Sequence, residues 1–420
     1  MSIEGRTEHV TCLGCGCGCD DLTVQVSNGR IVEVSPVCPV GRAWFGDGAV
    51  PAEVRLAGKP ATIETAIAEA ASILVGAVGQ CLICLGLDVN SQAQRAALAL
   101  ADLLRARVDT PTSTSAGEGI LAAQRRGRCA CTLGEIRNRA DVILFWGVDP
   151  TQRYPRYTSR YAVNPSGTHV SEGRGGRTLI GVSIGDDRSI AEADVSLTLQ
   201  PDEEISVLSS MRASVLGRPV AVQSPAIPQA LEIAARLSRA RYAVLVHDAE
   251  PTAQPRDRLR TEALIGLTQA LNTPTRAALS SLRGGGNRVG AEAVLTAQSG
   301  YPFALDYSRG YPRYVPTSAP AFADQTFRAL LVIGSVPNSP PPRALASATL
   351  VIAPNASASS LQPHIAIDTG VAGIHEGGTA YRMDEVPLQL RPPLQHTRST
   401  AAVIDGISRA SAERLRGTPR

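Results

Sequence analysis

Lysine is nearly absent from this chain of 420 residues: Lys59 stands alone among 41 basic residues, and the rest are arginine. That bias reads as coding preference before function, because either side chain serves on most exposed faces. Excess charge is missing too, with 41 basic against 38 acidic residues, which excludes the strongly basic surface of a general nucleic-acid binder. No basic and apolar leader opens the chain, since Met1 to His9 is polar and carries Glu4, Arg6 and Glu8; a cytoplasmic location is expected. A membrane span is not expected either. The longest charge-free stretch, Ala70 to Leu87, is divided by Gly76, Gly79 and Gln80 and reads as a helix end followed by a buried strand. A nucleophile elbow, a phosphate loop, a two-His metal motif and a repeat of fixed period are also missing.

What is present is apolar mass: 44% hydrophobic and 19% charged residues exclude disorder and suffice for two or three domains. Residues 1–55 form a Cys-rich unit in which Leu22 to Val26 and Arg30 to Val34 pair as a knuckle across the turn Asn28-Gly29. An Ala-rich helix then runs from Ile63 to about Gly76, and a second helix from Ser91 to Leu104. Short apolar runs at Cys81–Leu87, Asp141–Gly147, Thr178–Val182, Tyr242–His247, Ala329–Gly334 and Thr349–Ala353 each exit into a Gly, Asp, Asn or Pro loop. That texture predicts an α/β fold of open, mostly parallel sheets covered by helices, with ligands beyond the carboxyl ends of the strands. The expected division is 56–170 with 330–420 as a first α/β region and 171–329 as a second, Rossmann-like one.

Nine cysteines, crowded towards one end, favour metal over disulfides in a cytoplasmic chain. Cys12, Cys15 and Cys19 are spaced to ring one loop, and Cys38 joins them from across the hairpin. Four soft ligands at this uneven spacing suit one cubane 4Fe–4S cluster; zinc is the alternative, and a site that has lost its metal the third reading. Cys17 is a spare thiol between two ligands. Cys81 and Cys84 fall inside a strand and point to opposite faces, so they read as core, as do Cys129 and Cys131. His247, at a strand end, reads as a packing histidine.

The pairing of CLGCGCGCDD at 12–21 with HEGGTAYRM at 375–383 resembles the molybdopterin oxidoreductases, most closely the B subunit of formylmethanofuran dehydrogenase. The likeness extends through LAAQ at 121–124, TLGEIRNRADVILFWG at 132–147, RTLIGV at 177–182, the SGYP and YPRY segments after 299 and MDEVP at 383–387, and covers essentially the whole chain. It implies a formate dehydrogenase/DMSO reductase-like fold. It also implies a tungsten or molybdenum centre held by two pterin guanine dinucleotides and one protein Cys or selenocysteine. Counting back from LAAQ, that thiolate falls on Ser115 and its neighbouring His on Ala116. Serine does ligate molybdenum in some relatives, but a capping or loop hydroxyl is the reading preferred for Ser115. A guanine-reading Asp is replaced by Ser183, another acid by Val336, and the family's RGHYN resembles RGGGN here, keeping Arg283 and Asn287 but putting Gly285 in place of the imidazole. The glycines 284–286 with Arg288 read either as an anion nest or as a plain turn. Among His375, Glu376, Thr379, Tyr381 and Arg382, the family's segment shapes a pterin floor without chemistry, and Glu376 reads as a carboxylate that organises a helix or turn.

Relatives that lack these groups belong to the formyltransferase/hydrolase complex of methylotrophic bacteria. The resemblance therefore implies a non-redox structural subunit, with no tungsten- or molybdenum-pterin. Its implied partners are the zinc amidohydrolase-like A subunit, the C subunit and the formyltransferase subunit of a complex that takes a formyl group from a methanofuran-type carrier to formate. The alternative is an active tungsten or molybdenum dehydrogenase. A further reading has the emptied crevice taking the carrier's polyanionic tail through Arg153, Arg156 and Arg283.

Overall fold

The computed structural model describes residues 5–250, 259–316, 327–335 and 347–417. The chain is a mixed α/β protein with parallel sheets, divided into two compact units: residues 1–114 with 285–420, and residues 115–284. Among the described residues no helix is long and apolar enough to cross a membrane.

The first unit opens with a three-stranded antiparallel sheet, Gly5–Val10, Leu22–Ser27 and Arg30–Ser35. The hairpin turns at Asn28 and Gly29, both at positive φ (52° and 72°), as a tight two-residue turn requires. The strand Gly5–Val10 was not foreseen, because GRTEHV has no alternating apolar face and is mostly exposed. The rest of this unit is built on a sheet whose parallel centre runs Arg107–Asp109, Cys81–Leu85, Ala329–Ile333, Ala348–Ala353 and Ile365–Asp368. Short antiparallel strands finish both edges. The helices Ile63–Gly76, Ser91–Leu103 and Thr400–Gly417 cover one face, through Ala66, Ala70, Leu74, Ala97, Leu98, Leu100, Ile404 and Ile407. Cys81 faces that core and Cys84 the opposite apolar cluster, as alternation within a strand demands. Burial pushes the Cys81 thiol up to about 12, so it packs as a neutral group.

The second unit is a five-stranded parallel sheet in the order Val195–Leu199, Thr178–Ile184, Val142–Trp146, Ala243–Asp248 and Ala277–Leu282. Glu204–Val215, Ala226–Ser238 and Arg260–Leu271 supply its helical cover. The main chain at Cys129 to Cys131 runs along the last strand, with Leu279 N–H donating to the Cys129 carbonyl at 2.7 Å. The units part differently from the boundaries expected at 170 and 329. Val142–Trp146 starts the second sheet, whereas the segment from 285, including Leu305–Asp306, returns to the first.

Candidate functional site

Residues 12–19 fold back on themselves, with Cys12 N–H donating to Cys19 O at 2.8 Å. Cys38 caps the helix Pro39–Phe45, its Sγ accepting from Gly41 N–H at 3.4 Å, while Cys12 Sγ accepts from Gly14 N–H at 3.4 Å. Gly41 lies between those two sulfurs: a Cβ there would stand 3.3 Å from Cys12 Sγ and 3.7 Å from Cys38 Sγ. Burial pushes the Cys12 thiol up, and the adjacent Cys15, Cys19 and Cys38 add to the rise, so the four expected ligands share one neighbourhood. Cys17 is fully buried beside them and is raised by its hydrogen bond with Cys15 and by burial. The donor set fits a thiolate-ligated cluster: soft sulfurs, amides directed at them, and glycine where a side chain would crowd them. Among the described residues no group of three or more His, Cys, Asp or Glu is placed to hold a metal ion, so the metal expectation rests on this donor set and not on a formed cage.

In each parallel sheet the strand order reverses once beside the first strand, and the crevice beyond the carboxyl ends at that point is where open α/β sheets place ligands. In the first unit the point lies between Cys81–Leu85 and Ala329–Ile333, and it is filled by the protein's own backbone. Leu87 N–H donates to Ser335 O at 2.9 Å, a Cβ at Gly86 would stand 2.6 Å from the Gly334 carbonyl carbon, and Asp88 takes both the amide and the hydroxyl of Ser335. Val336 lies outside the described residues.

In the second unit the point lies between Val142–Trp146 and Ala243–Asp248. Asp248, at the strand end, accepts from Arg153 Nη1 and from the Tyr154 hydroxyl at 3.2 Å. Arg283 Nε donates to Glu250 Oε1 at 2.9 Å, with both side chains buried. Arg156 lies on the same loop as Arg153. Of the expected anion contacts Arg153, Arg156 and Arg283, the first and the last face carboxylates that offset their charge. Sequence reading missed Asp248 and Glu250, although HDAE directly follows an apolar run. It also missed a buried network in the same unit, in which Glu204 accepts from Arg260 Nε at 2.5 Å and Trp146 Nε1 at 2.7 Å, and Arg260 reaches Asp187 at 2.8 Å.

Ser115 ends the short helical turn Thr112–Ser115, and its buried Oγ has no hydrogen-bond partner. The loop-hydroxyl role expected for it belongs instead to Ser113, which donates to Asp109 at 2.9 Å, and to Thr114, which donates to Pro111 O at 3.2 Å. Ala116 is buried and starts the helix Gly117–Arg126 without a side-chain cap. Neither residue offers a thiolate or an imidazole, so this position does not fit the family's tungsten or molybdenum ligation. Ser183 lies within a strand and accepts from Ser189 N–H at 3.0 Å.

Asn287 is fully buried and structural: its Nδ2 donates to Val89 O at 3.0 Å and its Oδ1 accepts from Tyr381 N–H at 2.8 Å. Of the two readings of the glycines 284–286, anion nest and plain turn, the hydrogen bonds accord with the turn. Gly284 N–H donates to Glu250, Gly286 N–H to Leu13 O at 2.7 Å and Asn287 N–H to Leu87 O at 2.7 Å, leaving those amides committed to the protein. His247 pairs with Ser281 Oγ at 2.8 Å, as a packing histidine. His375 has its Nε2 2.8 Å from Gly48 O, and burial lowers its pKa. Glu376 accepts from Thr400 N–H at 2.8 Å, from its hydroxyl at 2.9 Å and from Asn90 at 3.4 Å. It thus organises the starts of two helices, as read from the sequence. Thr379 pairs with Gln92, and Arg382 with Asp384, so the 375–383 segment is a structural brace.

No family model matches the chain. It is 35% identical over 407 residues to the B subunit of the tungsten-containing formylmethanofuran dehydrogenase 2 of Methanocaldococcus jannaschii, covering 91% of this chain and 92% of that one. The chain belongs to the family of formylmethanofuran dehydrogenase B subunits. A second member, from Methanococcus maripaludis, is 32% identical over 91% of this chain and 93% of its own. The B subunit of the formyltransferase/hydrolase complex Fhc of Methylorubrum extorquens is 28% identical over 220 residues, 52% of this chain and 56% of that one. Among solved structures, a chain of the crystallised Methylorubrum extorquens formyltransferase/hydrolase complex FhcABCD with methylofuran matches with a TM-score of 0.71 at 25% identity, over 87% of this chain and 100% of the other.

Proposed function

We propose that this chain is the B subunit of a formyltransferase/hydrolase complex and has a structural, non-redox role in converting a methanofuran-type formyl carrier to formate. What carries this reading is the pair Ser115-Ala116, which the family likeness sets against a metal-binding Cys-His: the buried Ser115 hydroxyl has no hydrogen-bond partner among the described residues, and Ala116 offers only a methyl group. A neutral serine is a harder and poorer donor than a thiolate, and alanine moves no proton. The Fhc relative and the FhcABCD chain support the assignment. A DMSO reductase-like fold with a Cys-rich N-terminal knuckle accords with the architecture, and the A, C and formyltransferase subunits in the cytoplasm are the partners proposed. Function resides in sites, so a fold can persist for its outer surfaces after its inner site is lost. Cys12, Cys15, Cys19 and Cys38 are proposed to hold one 4Fe–4S cluster that braces the N-terminal unit.

Replacing Ser115 by Ala tests the role directly in the assembled complex. Formate release from the formyl carrier should stay within about twofold of the unaltered complex, because no transition-state contact is removed. A collapse of activity with assembly intact would contradict the proposal. The alternative reading is an active tungsten dehydrogenase, the kind of protein that the two full-length relatives are named for. It predicts that same collapse.

A further inference from the structure

The glycines at 285 and 286, which no part of the proposed function employs, meet the cysteine loop at close quarters. A Cβ at Gly285 would overlap the Gly14 carbonyl oxygen and come to 2.9 Å from that of Leu13. Gly286 holds φ at +79°, donates its N–H to Leu13 O at 2.7 Å, and leaves only 2.5 Å between a built Cβ and Leu87 O. Across the loop, Met383 N–H donates to Gly16 O at 2.9 Å, and a Cβ at Gly18 would meet Leu388 Cδ1 at 2.9 Å and Arg382 Cγ at 3.0 Å. Towards the helix Pro39–Phe45, a Cβ at Gly14 would stand 3.0 Å from Trp44 Cβ.

From this geometry we infer that Gly285 and Gly286 are positioning residues, a backbone seat that sets where the loop 12–19 places its thiols. Two carbonyls of that loop occupy the room a side chain at 285 needs. In this chain an imidazole placed there must displace Leu13 and Gly14. A carbonyl oxygen is backbone and yields only if the whole loop moves, unlike the end of a flexible side chain.

The test compares the full chain, stripped of metal, with its Gly285→Ala, Gly285→His and Gly76→Ala variants. Alkylation by N-ethylmaleimide is followed at each cysteine by mass spectrometry. Gly76 is the control, since a Cβ there meets nothing within 4 Å. Cys12 and Cys19, each 6% exposed, should react about tenfold faster in both Gly285 variants, which corresponds to about 1.4 kcal/mol of easier local opening. Cys84, 5% exposed in the sheet, should keep its rate. Unchanged Cys12 in a folded Gly285→Ala protein overturns the seat. Should Cys84 speed up as well, the variant has unfolded and hydrogen exchange on the unaltered chain decides. Slow exchange at the Gly286, Asn287 and Met383 amides supports the seat, and exchange at the free-peptide rate refutes it. A second readout rests on the cluster proposal: after anoxic loading with ferric iron, sulfide and a thiol reductant, then reduction by dithionite, Gly285→Ala should bind less iron and show altered electron paramagnetic resonance. An unaltered chain that takes up no iron sinks the cluster and leaves the alkylation result standing.

Discussion

Asp109 shows how much a single residue escaped sequence reading. It ends an ordinary strand, Arg107–Asp109, yet it is buried and accepts from Thr110 N–H at 2.8 Å, Ser113 Oγ at 2.9 Å and Ala304 N–H at 3.3 Å. Burial outweighs those donors and raises its pKa to about 6. The unfolded chain ionises near pH 3.9, so between about pH 4 and 6 the native state binds more protons and the contribution of Asp109 to stability falls as pH rises. Asp109→Asn should remove that slope: in denaturant titrations its stability relative to the unaltered chain should improve from pH 4 to pH 6.5. Parallel curves would place the carboxyl's titration near its unfolded value. No pattern in the sequence reports a residue's desolvation, nor that Ala304, 195 positions away, supplies one of its donors. The glycines at 285 and 286 were visible as turn formers; that the amides of Gly286 and Asn287 were already engaged by Leu13 and Leu87 was not.

Elements were more legible, because their causes are local. The run expected at Asp141 to Gly147 is the strand Val142–Trp146, and the helix expected from Ile63 to Gly76 has those ends, capped by Thr62, whose side chain accepts from Thr65 N–H. What failed was membership. The strands Val142–Trp146 and Ala329–Ile333 are equally apolar, and nothing local says that they belong to different sheets. Glu376 joins elements distant in sequence, the helices Ser91–Leu103 and Thr400–Gly417, through Asn90 and Thr400. Its carboxylate also accepts at a helix start, where negative charge is favoured. Removing it orphans the buried Thr400 amide, while the Thr400 hydroxyl keeps Thr369 Oγ1 at 3.0 Å, so Glu376→Ala should lower the unfolding free energy by about 1–3 kcal/mol. Glu376→Gln, which keeps an acceptor, should cost less than half of that in the same urea titration. Equal losses would place the carboxylate's effect in its volume and not in its hydrogen bonds.

At the scale of the molecule, the family likeness was legible because ordered motifs spanned the whole sequence, and the full-length relatives bear it out. The fate of the redox centre is a matter of a few positions. Under the proposed role, Ser115, Ala116 and Gly285 take the positions of a thiolate and two imidazoles, and Asp248 and Glu250 pair with Arg153 and Arg283. The same chain keeps five cysteines within a single buried neighbourhood at its N-terminal end. Loss at one centre and retention at another is the central claim. Elemental analysis of the native complex, purified without oxygen and normalised to this chain, tests it most directly. The account predicts iron at about four atoms per chain, as one cubane cluster requires, with tungsten and molybdenum absent while the complex still releases formate. Near-stoichiometric tungsten or molybdenum would contradict it and make Ser115 a ligand.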